Sequence, residues 1–287
     1  MELQDNRVRS ILNYFNYQLK ALYEGREVEA IAWIVLEDLF GISRTAFAKD
    51  PTMRLTESQI VDIVHTVKAL KRNVPVQYAT GKAFFRDMTL SVSPAVLIPR
   101  PETEELVQWI VDDCKANKVK LLDVCTGSGC IAIACANELV NARVSALELS
   151  EDALLLAREN ANKQKLQIDF FKADALEWKS DGQWDIIVSN PPYVPFSESD
   201  KMAKHVIDHE PTMALFVPDN DPLIFYRKIS QMALESLNEK GALYFEIHFD
   251  KAPAIEALLK EQGWPLVEVR QDLNNKDRMI KASFSND

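Results

Sequence analysis

Apolar side chains recur along this chain at two different periods, and the change of period divides it. Over the first 72 residues the period is helical. Val8, Ile11, Leu12, Phe15, Leu19 and Leu22 fall on one stripe. Ile31 to Phe40 reads as a second apolar helix, stopping near Gly41. Thr56-Glu57-Ser58-Gln59 has the form of a capping box, and Ile60, Ile63, Val64, Val67 and Leu70 continue from it as an apolar face. These features predict a small helical bundle, better suited to interaction than to catalysis.

Around Asn73-Val74-Pro75 the pattern changes. Phe84-Phe85 and Met88 to Val92 predict a short hairpin that turns near Arg86-Asp87. In Ile98-Pro99-Arg100-Pro101-Glu102-Thr103-Glu104 two prolines exclude helix, and Glu102 to Cys114 then reads as helical. From Val119 onward, strands are expected at 119–124, 143–147, 167–171, 184–189 and 242–247. Helices are expected between them at 130–138, 151–163 and 222–237. Such alternation predicts an α/β fold with a doubly wound, mostly parallel sheet. The expected organisation is a helical domain over 1–72, a linker with the hairpin over 73–93, and the α/β domain over 94–287.

Composition narrows the function classes. The chain has 287 residues, 47% hydrophobic and 26% charged, which is ordinary for a folded protein with one large and one small domain. The net charge is −10, and residues 1–90 carry 12 basic against 11 acidic side chains, residues 91–287 carry 21 against 32. Neither part has the basic excess expected of a protein that grips a phosphate backbone, so direct nucleic-acid binding is not expected. Met1-Glu2-Leu3-Gln4-Asp5 shows no apolar leader and no run reaches membrane-spanning length, so a cytoplasmic protein with no membrane partner is expected. Cys114, Cys125, Cys130 and Cys135 form no CxxC pair and read as reduced, buried small residues. His205 and His209 share a helical spacing, but a solvated helix face explains it, and no metal site is expected.

The chemistry lies at the strand ends, where doubly wound sheets bind their ligands. At the end of the first strand stands Asp123-Val124-Cys125-Thr126-Gly127-Ser128-Gly129, a GxG turn opening a helix, without the third glycine of a dinucleotide fingerprint. Glu148 ends the second strand and could accept both hydroxyls of a ribose, or be a surface acid before an N-cap at Ser150. Asp174 follows the third strand and reads either as an acceptor for an adenine amino group or as a helix cap. Asn190-Pro191-Pro192-Tyr193 follows the fourth. Its prolines remove two backbone donors beside a side-chain amide and an aromatic ring. That makes an acceptor-rich ledge for a planar amino group, though a proline-terminated strand entering a loop has the same form. No phosphate-binding GxxxxGK[ST] motif is present. An adenosine ligand without phosphates that carries an electrophile is S-adenosyl-L-methionine, which leaves as S-adenosyl-L-homocysteine.

With these motifs the chain resembles the bacterial HemK/PrmC glutamine N5-methyltransferases. The resemblance runs through Pro75-Val76-Gln77-Tyr78 with Gly81-Lys82, Leu97 to Glu104, Asp123 to Gly129 and Ile187 to Tyr193. It continues in Glu210-Pro211 with Ala214-Leu215 and in Asp272-Leu273 with Asp277-Arg278. Asn-Pro-Pro-Tyr alone is shared with adenine and cytosine amino-methyltransferases, and the Ile98 to Glu104 segment is more particular to the release-factor group. The resemblance implies a Rossmann-like methyltransferase sheet and methyl transfer to the glutamine of the Gly-Gly-Gln motif in class 1 peptide chain release factors. It implies a docking role for residues 1–72, and a monomer is expected. Asn190, Pro191 and Tyr193 would be catalytic, with Pro192, Arg100 and Glu102 completing the substrate site. Asp123, Thr126, Gly127, Gly129, Glu148, Asp174 and Asn190 would hold the cofactor. Three positions depart from the family pattern, since Cys125, His248 and Asn275 stand where glycine is usual. The alternative is an amino-methyltransferase acting on adenine or cytosine, which would need base flipping and a basic track along the phosphates.

Overall fold

In the computed structural model, residues 3, 5–114, 118–180 and 182–285 are described. The N-terminal stretch read for a leader, and the outer domain limits at residues 1 and 287, lie largely outside them. The chain forms two compact units, Met1–Lys82 with Ala203–His209, and Ala83–Met202 with Glu210–Asp287.

The first unit is helical: α1 Val8–Leu19, α2 Gly25–Phe40, α3 Arg44–Lys49, α4 Glu57–Leu70 and α5 Val76–Thr80. The Thr56 hydroxyl accepts from Gln59 N and the Gln59 side chain accepts from Thr56 N, a complete capping box worth about 1 kcal/mol. Gly41, at φ 69°, ends α2 in the left-handed conformation that a side chain would resist. Val8, Ile11, Phe15 and Leu19 of α1 are fully buried. Leu22, read as part of that stripe, lies beyond the end of α1 and is exposed. Thr80 Oγ1 donates to Asp38 Oδ2 at 2.9 Å and pins α5 to α2.

The second unit begins within the hairpin β1 Lys82–Phe85 and β2 Met88–Ser91, whose turn places Arg86 at φ 50°. Helix α6, Pro101–Asp113, follows. From sequence alone this helix is expected to begin at Glu102. Pro101 instead occupies its first turn, where the missing N–H has no helical partner to lose. Then come β3 Lys120–Val124, α7 Cys130–Glu138, β4 Arg143–Glu148, α8 Glu151–Lys163, β5 Ile168–Lys172 and β6 Trp184–Ser189. A loop carries β7 Val194–Pro195, a 3-10 turn over Phe196–Lys201, α9 Lys204–His209 (part of the first unit), α10 Thr212–Leu215 and β8 Phe216–Val217. The chain closes with α11 Ile224–Ser236, β9 Leu237–Glu246, α12 Ala252–Glu261, β10 Leu266–Gln271 and β11 Asp277–Ser283.

Among the described residues seven strands form one sheet in the order β10-β11-β9-β6-β3-β4-β5. The five strands from β9 to β5 are parallel, and β11 and β10 add an antiparallel edge. Central strands bury both faces. Leu121, Ile186, Val188 and Tyr244 pack on the side of α6 and α7, while Leu122, Ile187, Leu243 and Phe245 pack on the side of α11 and α12. Burial on both faces is why these strands read as unbroken apolar runs. Strand order reverses at β3, with β4 on one side and β6 on the other, so their carboxyl ends make the topological switch point. No helix of the described residues is long and apolar enough to cross a membrane. Cys130 and Cys135 are buried as expected, whereas Cys114 and Cys125 are only partly so.

Candidate active site

The connection from β3 to α7 is built around a buried acid. Asp123 Oδ2 accepts the Thr126 hydroxyl at 2.5 Å and the Ala132 N–H at 3.1 Å, which ties the turn to the first turn of α7. Asp123 is fully buried, and burial pushes its carboxyl up to about 7 against those two hydrogen bonds. Gly127 and Gly129 take φ 54° and φ 83°. A Cβ on Gly129 would stand 3.1 Å from Ile133 and 3.2 Å from Ala157, so α8 approaches the turn closely there. The position of a Cβ on Gly127 has no heavy atom within 4 Å, so this backbone faces open space. Cys125 also takes a positive φ, 63°, which explains physically why glycine suits the position. Asn275 takes φ 58° in the turn between β10 and β11, a conformation asparagine tolerates well.

At the end of β4, Glu148 Oε2 accepts from Gly127 N, and Oε1 accepts from Leu149 N and Ser150 N, each at 2.9 Å. Its carboxylate therefore joins the ends of two adjacent strands. Ser150 does cap α8, accepting from Ala153 N, yet Glu148 is half-buried rather than a surface acid. Past β5, Asp174 Oδ1 accepts from Leu176 N at 2.9 Å. The residues that follow form a turn and no helix, so the helix-cap reading of Asp174 fails.

At the end of β6, Ser189 Oγ donates to Val124 O at 2.6 Å and locks the strand to β3. Asn190 Nδ2 then lies 3.4 Å from Thr103 Oγ1 on α6. Thr103 in turn donates to Glu246 Oε2 at 2.5 Å. Pro191 and Pro192 are buried, and the half-buried Tyr193 ring lies tilted against His248 at 5.8 Å between centroids. Burial raises the Tyr193 hydroxyl above its ordinary range. Arg100 Nη2 pairs at 2.6 Å with Glu210, a fully buried carboxylate that also accepts from Ile98 N.

Of the residues expected here, Arg100, Thr126, Gly127, Glu148, Asp174, Asn190 and Pro192 line one cavity, together with Cys125, Met213 and Phe225. Counting its open mouth, the cavity holds about 890 Å³ of empty space. Asp123 and Gly129 lie behind its wall and shape the turn. Glu102, Pro191 and Tyr193 are not in the lining either. Glu102 sits in the first turn of α6, one residue before Thr103. Sequence alone assigns no role to Thr103 or Glu246, although a lone acid in the apolar run Ala242 to Ile247 is itself a signal, since buried acids need partners.

Two family models match the chain, the PrmC N-terminal domain over residues 10–81 and the methyltransferase small domain over residues 102–215. A release factor glutamine methyltransferase from Flavobacterium psychrophilum is 37% identical over 282 residues, covering 96% of this chain and 99% of that protein. Another from Bacteroides thetaiotaomicron is 38% identical, with 95% and 99% covered. The catalytic domain of hMettl16, solved in complex with the MAT2A 3'UTR hairpin 6, superposes with a TM-score of 0.57 at 16% identity, over 81% of this chain and 84% of that one. That likeness is one of fold. Identity sustained across both units over nearly the whole length of both curated relatives is likeness of another kind, and by it the chain belongs to the release factor glutamine methyltransferase family.

Proposed function

We propose that the chain transfers a methyl group from S-adenosyl-L-methionine to the side-chain amide nitrogen of the glutamine in the Gly-Gly-Gln motif of class 1 release factors. One observation carries this reading. The Asn190 amide opens on the same cavity as Gly127, Glu148 and Asp174. The cavity suits the cofactor. Glu148 would accept the ribose hydroxyls, Asp174 the adenine amino group, and the open backbone at Gly127 would admit the methionine end. Among the described lining residues Arg100 is the only cation, and it is already paired with Glu210, which disfavours a phosphate-bearing ligand. Bound there, S-adenosyl-L-methionine supplies an electrophilic methyl on its sulfonium and departs as S-adenosyl-L-homocysteine.

A carboxamide nitrogen is a poor nucleophile because its lone pair is delocalised into the carbonyl. The chain answers by position. Asn190 Oδ1 and the Pro191 carbonyl would each accept one N–H of the target amide, turning the face of its nitrogen toward the cavity. The same acceptors favour the positive charge that develops on that nitrogen. Tyr193 would wall the amide plane, with Pro192, Arg100 and Glu102 shaping the entrance. The surplus proton on nitrogen leaves to water. A neutral Asn190, where aspartate would carry full charge, avoids holding a cation in the site. Residues 1–72 would dock the partner, 73–93 link, and 94–287 carry the reaction, in a cytoplasmic monomer that does not itself bind nucleic acid.

The test offers labelled S-adenosyl-L-methionine to a release factor, to its Gln→Glu variant in the Gly-Gly-Gln motif, and to duplex DNA. Label is expected on the first alone. Label on DNA, or equal label on the Glu variant, overturns the reading.

A further inference from the structure

Asparagine presents two nearly isosteric faces, an acceptor oxygen and a donor nitrogen, and only one of them suits an incoming amino group. With Nδ2 turned to the substrate, donors would face donors. Something must select the orientation, and Thr103 is placed to do it. A hydroxyl has one proton to give. Thr103 Oγ1 lies 2.5 Å from Glu246 Oε2, and an ionised carboxylate can only accept, so the proton is committed to Glu246. What Thr103 Oγ1 then shows to Asn190 is a lone pair. Asn190 Nδ2 meets that lone pair at 3.4 Å, whereas Oδ1 in its place would be repelled.

We propose that Thr103, held by the buried Glu246 carboxylate, is a positioning residue that fixes the orientation of the Asn190 carboxamide and leaves Oδ1 for the substrate amide. The proposal rests on the function proposed above for what Oδ1 meets, but not for the orientation itself. Glu246 is held in turn. It is the last residue of β9, its backbone carbonyl accepts the Tyr226 hydroxyl at 3.2 Å, and its side chain is buried. The groups whose charges act with it are Arg278 from β11, Arg100 and Glu102 at the start of α6, Tyr193 after β6, Tyr226 from α11 and Cys130 from α7. The two arginines favour its ionised form, and Glu102 opposes it. Burial outweighs the Thr103 hydrogen bond and the arginines, and pushes the carboxyl up to about 7. Protonation reverses the logic. A Glu246 carboxylic acid donates to Thr103, the Thr103 proton turns toward Asn190, and the amide is free to flip. Activity therefore declines as pH falls through about 7.

The experiment compares Thr103→Val, Thr103→Ser and Glu246→Gln in the full chain, with labelled S-adenosyl-L-methionine and a release factor. Thr103→Val keeps the shape and removes the hydroxyl, and kcat is expected to drop about tenfold, the scale of one misdirected hydrogen bond. Cofactor affinity and the folded spectrum should not change. Thr103→Ser should restore kcat to near wild type, and Glu246→Gln should flatten the decline of kcat below pH 7. A readout independent of turnover is the Asn190 side-chain amide in protein labelled with 15N-asparagine. One of its protons should exchange slowly in the wild type and in Thr103→Ser, and rapidly in Thr103→Val. Unchanged exchange in Thr103→Val overturns the proposal, as does a serine variant impaired like the valine. If the wild-type chain leaves the release factor unlabelled, the proposed function falls, and the exchange measurement still decides the orientation.

Discussion

Strand β6, which carries Asn190 at its end, is flanked in the sheet by β3 and β9, and each flanking strand holds a buried acid near its carboxyl end. Asp123 and Glu246 are alike in burial, and burial pushes both up to about 7. They differ in what donates to them. Asp123 takes two donors from its own strand-to-helix connection, Thr126 and Ala132, within nine residues of chain. Glu246 takes one, from Thr103, 143 residues away. The same group at the same depth is a local brace in one case and a long-range support in the other. Its partners, not its titration, separate the roles.

The largest expected effect tests the shared part of this comparison. A buried acid whose folded pKa is raised holds its proton after the unfolded chain has released it, so stability is greatest below about pH 4 and declines until about pH 7. For Asp123 the shift corresponds to on the order of 4 kcal/mol. Asp123→Asn should remove that share of the decline in urea titrations at pH 5 and pH 8. Equal pH dependence in the two proteins would mean Asp123 is ionised throughout.

Asn190→Ala comes next. It should slow turnover on the order of 10²- to 10³-fold, with stability near wild type. Near-normal turnover in that variant would sink the site. Gly129→Ala probes the β3 side through packing. At φ 83° and with contacts of 3.1 and 3.2 Å, it should cost on the order of 2 kcal/mol in thermal unfolding. A neutral result would mean α8 gives way easily and the turn is not rigid. Smallest of all is Cys125→Gly. Relief of left-handed strain opposes the added freedom of the unfolded chain, so stability should stay within about 1 kcal/mol of wild type. A loss above about 2 kcal/mol would show the Cys125 side chain packing for more than its strain.

The parallel core was legible because its signals are local. The Thr56 capping box, the Gly41 stop and the doubly buried runs of β3 and β6 each declare themselves within a few residues. Strands β10 and β11 and helix α12 were not assigned from sequence. β10 is half-exposed and carries Glu268 and Arg270 in its interior, as edge strands often do, so its apolar run is broken. The strand ends pointed to the cavity, but they did not separate its lining from its scaffold. Asp123 and Glu148 both end strands as acids, and only the fold turns one inward and leaves the other at the wall. The link from Asn190 through Thr103 to Glu246 joins positions 87 and 143 residues apart, and no periodicity reports a contact of that range.

That separation matters during synthesis. The Asn190-Pro191-Pro192-Tyr193 ledge emerges well before Glu246, and closing so long a loop is slow compared with forming a helix. A nascent chain halted in α11 would already display the complete motif, yet its amide would still be free to turn. Competence for chemistry then arrives with β9, one of the last strands to leave the ribosome.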